Sequence, residues 1–283
     1  MRLYKYLHPD RIDVLRNGTI RFSSPKVLND PFELKPHISA LAPKNEIHSG
    51  FETKLPKILA EEYEKLPAEF REQVPLSRLR ELANTQLPQL KAQLQEYTEM
   101  VVPMTQRIIS ENFEKMVGIL CLTESPENLL MWAHYADSHQ GFVVEFDADS
   151  PFFDQRKSPK DDLRHLRKVV YREQRPSLVL SEMEDFSPFL TKGVDWRYEA
   201  EWRMMIPLSS ASAVIGDGPT AVHLFEFPRS AIRSVILGCR MLEAKEEEIR
   251  RVLRSVDEFN DVLCLRAQIN ETHYRLGFME TRG

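Results

Sequence analysis

The chain has 283 residues, 42% of them hydrophobic and 29% charged, with a formal net charge of -5. That length supports one substantial core with a lobe attached, and the mild acidic balance argues against a broad nucleic-acid-binding face while leaving a local basic groove open. Cys121, Cys239 and Cys264 form no close-spaced pair, which fits free thiols in a reducing cytoplasm. The N-terminal MRLYKYLHPDR has no signal-peptide character, and no apolar run is long enough for a membrane span.

In chain order, residues 3–7 and 19–23 read as short strands around a short helix, with Ile12, Val14 and Leu15 as its apolar face and Asn17-Gly18 as its stop. The stretch SSPKVLNDPFE, 23–33, is an ordered loop. Residues 52–117 change to Lys, Glu, Gln, Leu and Ala, broken by prolines at 56, 67, 75, 88 and 103. Each proline marks a helix boundary or first turn, which predicts helices near 57–66, 76–86, 88–99 and 104–116 in a helical insertion or subdomain.

Strand signals return at 117–123, and a helix is expected over 129–137. GFVVEFD, 141–147, alternates Phe142, Val144 and Phe146 against Val143, Glu145 and Asp147, as a half-buried strand does. Further strands are expected at 169–171, 204–206, 222–227, 234–238 and 261–269, with a helix over about 242–258. The last strand–helix–strand block allows parallel pairing. Together these predict an α+β fold: a single domain over 1–283, with one mixed or split β-sheet, surrounding helices and the 52–117 insertion.

The sequence contains no GxGxxG, Walker A, HExxH or GxSxG motif. His134 and His139 are five apart, which is not the one-face spacing of a helical metal pair, so no metal ligands are assigned. Cys121 reads as a buried strand cysteine.

Three segments concentrate reactive side chains. In WRYEAEWR, 196–203, an extended reading puts Trp196, Tyr198, Ala200 and Trp202 on one face, with Arg197, Glu199, Glu201 and Arg203 on the other. The arginines would keep neighbouring carboxylates ionised, and the array could hold ribose hydroxyls and phosphates. The competing reading is an exposed ion-pair ladder of little energetic weight. In NDPFE, Asn29 and Asp30 fix a turn and Glu33 can enter a pocket. In WAHYADSHQG, His134 is an acid–base or stacking candidate, or a surface histidine bonded to Asp137. Glu145 is a further pocket carboxylate.

LYKYL, IRFSSPKVLNDPFE, CLTESPENLLMWAHYADSHQGFVVEFD, W-x-Y-E-x-E-W-R and SVILG, in this order, resemble the DUF2971 family, a bacterial family without an assigned reaction. The order of a polar N-terminal strand, a small helix ending in Asn-Gly, a strand ending in Ser and a late glutamate is similar to the ADP-ribosyltransferase layout. That resemblance implies NAD as substrate, bound by Tyr4, Lys5 or Tyr6 and by Ser23 or Ser24. Tyr135 would be the stacking ring, and Glu199 or Glu201 would orient the ribose. The histidine or arginine of that layout has no counterpart in the first strand, since His8 follows in His-Pro.

The expected activity is therefore nucleotide or NAD handling. Its catalytic candidates are Glu201, Glu199 and His134, with Glu201 preferred for its place beside the buried MMI run. A non-enzymatic, defence-associated module that binds a nucleotide, or a protein through 52–117, is the second reading. A nuclease-like enzyme is the third, with Asp30, Glu33, Glu145 and Glu199 converging on metals about 3.5–4 Å apart.

Overall fold

The LYKYL run forms β1 (Arg2–Leu7), and the apolar face behind it forms α1 (Asp13–Asn17), in a computed structural model that describes residues 1–281. β2 (Thr19–Phe22) and β3 (His37–Ala40) precede α2 (Lys44–Glu64), α3 (Ala68–Gln73), α4 (Leu76–Thr85) and α5 (Leu87–Met116). Then come β4 (Val117–Thr123), α6 (Leu129–Tyr135), β5 (Phe142–Asp147), β6 (Leu166–Lys168), β7 (Val170–Arg172), β8 (Ser177–Val179), β9 (Thr191–Gly193) and β10 (Glu201–Pro207). The chain closes with β11 (Ala213–Ile215), β12 (Val222–Glu226), β13 (Ile232–Leu237), α7 (Glu243–Ser255), β14 (Leu263–Ile269) and β15 (Leu276–Glu280).

This is a mixed α+β fold. Its main sheet has eight strands in the order β15-β14-β13-β5-β1-β4-β10-β6. β13 and β14 pair in parallel across α7, as a strand–helix–strand block permits, and the sheet's other pairings are antiparallel. A smaller sheet, β11-β12-β2, adjoins it, since Ser23 directly after β2 bridges Ile119 of β4.

The residues fall into two compact units, 1–35, 111–175 and 185–283 in one, and 36–110 and 176–184 in the other. The second unit holds the parallel pair β3 and β8 and most of the helical region. Pro67 and Pro75 stand immediately before α3 and α4, where prolines are tolerated. Pro56 and Pro103, by contrast, lie inside α2 and α5. The helices expected at 88–99 and 104–116 are thus one helix. An internal proline removes one backbone hydrogen bond, and the long helix continues on both sides of it. Tyr97, Met100, Met104 and Ile108 are exposed along α5.

In the first unit the central strands of the main sheet are buried on both faces. Leu3, Leu7, Leu122, Val144, Phe146 and Met204 pack with Val14 and Leu15 of α1 and Ile249 of α7. Val143, Tyr6 and Ile236, from the opposite face, pack with Met131 and Trp132 of α6. Val144 and Phe146 of β5 belong to the first core and Val143 to the second, so its two faces meet two cores. The half-buried reading of 141–147 therefore understates its burial. Among the described residues, no helix is long and apolar enough to cross a membrane.

Candidate functional site

The second core face is interrupted where the sheet divides. β1 pairs with β5 over six positions, but its register with β4 is the single pair Tyr4↔Thr123. Farther along β4, Ile119 is bonded instead to Ser23, amide to carbonyl in both directions at 2.9 Å. Where β1 and β4 part, Lys5 Nζ reaches back to the Cys121 carbonyl at 2.9 Å. A cavity of about 510 Å³ occupies this division, lined by Tyr4, Tyr6, Ser23, Cys121 and Thr123 among others. Residues directly opposite in a ladder share a face. The register therefore carries a polar row from Ser234 through Glu145, Tyr4 and Thr123 to Glu201.

Against the cavity lies a buried charge cluster. Lys192 Nζ stands 2.6 Å from Glu199, 3.2 Å from Glu201 and 3.3 Å from Glu33. The Arg203 guanidinium grips Glu201 with two bonds of 2.8 Å, and its Nη2 lies 2.6 Å from Glu33 Oε1. The Arg203–Glu33 contact is an ion pair without hydrogen-bond alignment, and Arg203 Nη1 has no hydrogen-bond partner. Arg203 is 1% exposed and none of the three glutamates exceeds 4%, so the charges depend on one another rather than on water. Tyr135 donates its hydroxyl to Glu199 Oε1 at 2.6 Å, and Asn29 approaches the same hydroxyl at 3.4 Å. The Tyr171 hydroxyl accepts the Glu201 amide at 2.9 Å.

Three carboxylates against Lys192 and Arg203 leave one formal negative charge in surplus. The protonation preferences follow from that crowding. Burial alone would raise Glu201, but the Arg203 fork and Lys192 outweigh it and hold the carboxyl well below its ordinary range. Burial pushes Glu33 up, against the pull of Arg203 and Lys192. Burial opposes the charge on Lys192, yet Glu201, Glu33 and Glu199 together hold its ammonium above the usual lysine range. Burial lowers Lys5. Burial and the bond to Glu199 push Tyr135 up, so its proton stays on the phenol; burial drives Tyr171 up to about 12. Burial also raises the Cys121 thiol, which suits an inert strand cysteine.

The structure brings together Tyr4, Lys5, Tyr6, Ser23, Asn29, Glu33, His134, Tyr135, Glu199 and Glu201 on one cavity wall or another. Arg203 stands behind them, hydrogen-bonded to Glu201 and ion-paired with Glu33. His134 is exposed at the last turn of α6. Other candidates lie elsewhere. Ser24 donates to the Glu114 carbonyl at 2.7 Å, and Asp30 accepts the Phe32 amide at 2.9 Å as a turn former. Glu145 is bonded to Ser234 and lies 3.1 Å from Arg2. The carboxylates Asp30, Glu33, Glu145 and Glu199 therefore do not converge. Among the described residues, no group of three or more His, Cys, Asp and Glu is placed to hold a metal ion.

The extended reading of 196–203 needs correction. Val194–Glu199 is a 3-10 helix, Ala200 is left-handed with φ 41°, and the strand begins at Glu201. Arg197 is consequently exposed and off the cavity. The turn sets Glu199 and Glu201 on the same ammonium, and strand alternation then aligns Glu201 with Arg203. Glu199, Glu201 and Arg203 are buried, whereas Trp196, Tyr198 and Trp202 are only half-buried. Sequence reasoning missed Lys192 and Tyr171. Lys192 sits in the three-residue β9, under the Trp196 ring at 4.7 Å. The available signal was the charge count, because three buried glutamates need a second cation besides Arg203.

Residues 131–204 match the model of the family described as "Protein of unknown function (DUF2971)", which bears out the resemblance to that family. The match contains Tyr135, Lys192, Glu199, Glu201 and Arg203. No curated protein and no solved structure matches the chain.

Proposed function

With the DUF2971 match as premise, we propose that the divided-sheet cavity binds a nucleoside-class small molecule, NAD among them, and acts at its ribose. The observation that carries this reading is the hydrogen-bonded chain Tyr135–Glu199–Lys192 on the cavity wall. Carboxylates and a phenol oxygen accept from hydroxyl, amide and amine donors, and a surplus negative charge favours such ligands over a bare phosphate. Glu199 takes the role nearest the sugar. Glu201 has both oxygens held by Arg203, whereas Glu199 is held by one hydroxyl and one ammonium.

In cleavage, the glycosidic C–N bond breaks with its electron pair leaving on the base, and a fixed carboxylate stabilises the electron-poor sugar carbon. The oxygen of water or of an acceptor then forms the new bond and gives up its proton. Wild-type protein should bind NAD or a nucleoside in calorimetry and consume NAD. Glu199→Gln, folded by circular dichroism, should lower turnover roughly a hundredfold or more. Absence of binding heat at millimolar ligand would overturn the reading. A binding module without turnover is the second reading, favoured because each glutamate of the cluster is already held by a cation. Binding with no product formed is its signature.

A further inference from the structure

A second cavity, of about 530 Å³, shares the α6 segment as a wall: Leu129 and His139 line it, whereas Met131, Tyr135 and Ser138 line the first. Its remaining wall comes from Cys239 and Arg240 after β13 and from residues 269–276 of the β14–β15 hairpin. Two arginines, Arg240 and Arg275, supply its positive charge, against Glu271 alone, in a chain whose net charge is -5. Arginines of α7 and β14 outside the cavity are committed: Arg250 and Arg266 bond Glu246, and Arg254 bonds Glu247. The side chains of Arg240 and Arg275 make no ion pair or hydrogen bond among the described residues.

The hairpin loop that delivers Arg275 is fixed, because Asn270 Oδ1 accepts the amides of Thr272 at 3.0 Å and His273 at 2.9 Å. Arg240 is anchored through its amide, which donates to the His139 carbonyl at 3.1 Å. Burial and the Arg240 charge both hold the His139 imidazole below its usual range, so the cavity's positive charge rests on the two arginines. Leu129, Ile269 and Leu276 give the cavity an apolar side. A guanidinium without a partner matches phosphate and carboxylate oxygens through its fork of donors.

We propose that this cavity binds a small organic anion, a phosphate or carboxylate on an apolar body, through Arg240 and Arg275. Neither arginine lines the first cavity, so the outcome is independent of the nucleoside reading. The test titrates the full chain with phenyl phosphate, benzoate and the neutral benzyl alcohol, by calorimetry and thermal shift. At least one anion should bind and raise Tm, with salt weakening it, and benzyl alcohol should not. The stronger of the two anions identifies the acid group. Arg240→Gln and Arg275→Gln, both exposed and foldable, should each weaken binding about tenfold. The proposal is overturned if neither anion binds at millimolar concentration, if benzyl alcohol binds as well, or if the double variant binds like wild type.

Discussion

Lys192 holds three carboxylates at once, and that makes it the most sensitive single position in the cluster. Removing one partner from a buried ion network leaves the other charges desolvated and uncompensated, which typically costs about 3–5 kcal/mol. Lys192→Met should therefore lower the urea midpoint sharply. Adding Glu199→Gln to it should restore part of the loss, because one stranded charge disappears with it. A double variant less stable than the single one by the full cost of Glu199→Gln would mean the two side chains are uncoupled. Glu201 and Arg203 were legible in the sequence, because i and i+2 on a strand share a face. Lys192 was not. A lone lysine in TKG carries no pattern, and only the folded chain places it beneath acids seven and nine residues away.

Strands and turns divide the legible from the illegible at the next scale. β5, β13 and β14 follow from apolar alternation or short apolar runs with turn residues at their ends. The Ala200 turn does not, because alanine seldom takes the left-handed conformation, and nothing in EAE announces it. Leu34 after Glu33 is left-handed too, φ 55°, so both chain segments that supply carboxylates to Lys192 turn against residue preference. Glycines carry the close approaches between strand ends. A Cβ on Gly141 would stand 2.1 Å from the Leu7 carbonyl oxygen, and one on Gly238 2.1 Å from the His139 oxygen. These are backbone atoms that cannot swing away. Gly238→Ala should accordingly destabilise by about 1–3 kcal/mol, as overpacking does. Gly50, inside α2, has nothing within 4 Å of its missing Cβ. Gly50→Ala should stabilise by about 0.5–1 kcal/mol, since alanine suits a helix interior and glycine does not. Chemical denaturation of both variants checks the opposite signs.

For the molecule as a whole, the cluster makes stability depend on pH with a distinctive shape. Glu201 ionises more readily in the folded chain than its ordinary value of 4.5. Below that value the unfolded chain takes up a proton that folded Glu201 refuses, so its contribution, present above 4.5, is lost as pH falls toward its folded value. Glu33 acts with the opposite sign. Its folded carboxyl is raised, so between 4.5 and that higher value the folded state binds the extra proton and gains stability as pH falls. Protonating Glu33 also removes the surplus negative charge of the cluster, and the two glutamates titrate as one coupled system. The contribution of these two glutamates to the urea midpoint should thus rise as pH is lowered toward 4.5 and fall once pH drops below it, against the opposing loss from His139, whose depressed imidazole costs stability as pH falls below 6.5. Glu33→Gln should flatten the rise and keep the acid-side fall, because the Arg203 fork on Glu201 survives. A Glu33→Gln curve that superimposes on wild type through the upper window would show that Glu33 shares no protons with the fold. A wild-type curve flat below 4.5 would show that Arg203 does not hold Glu201 ionised.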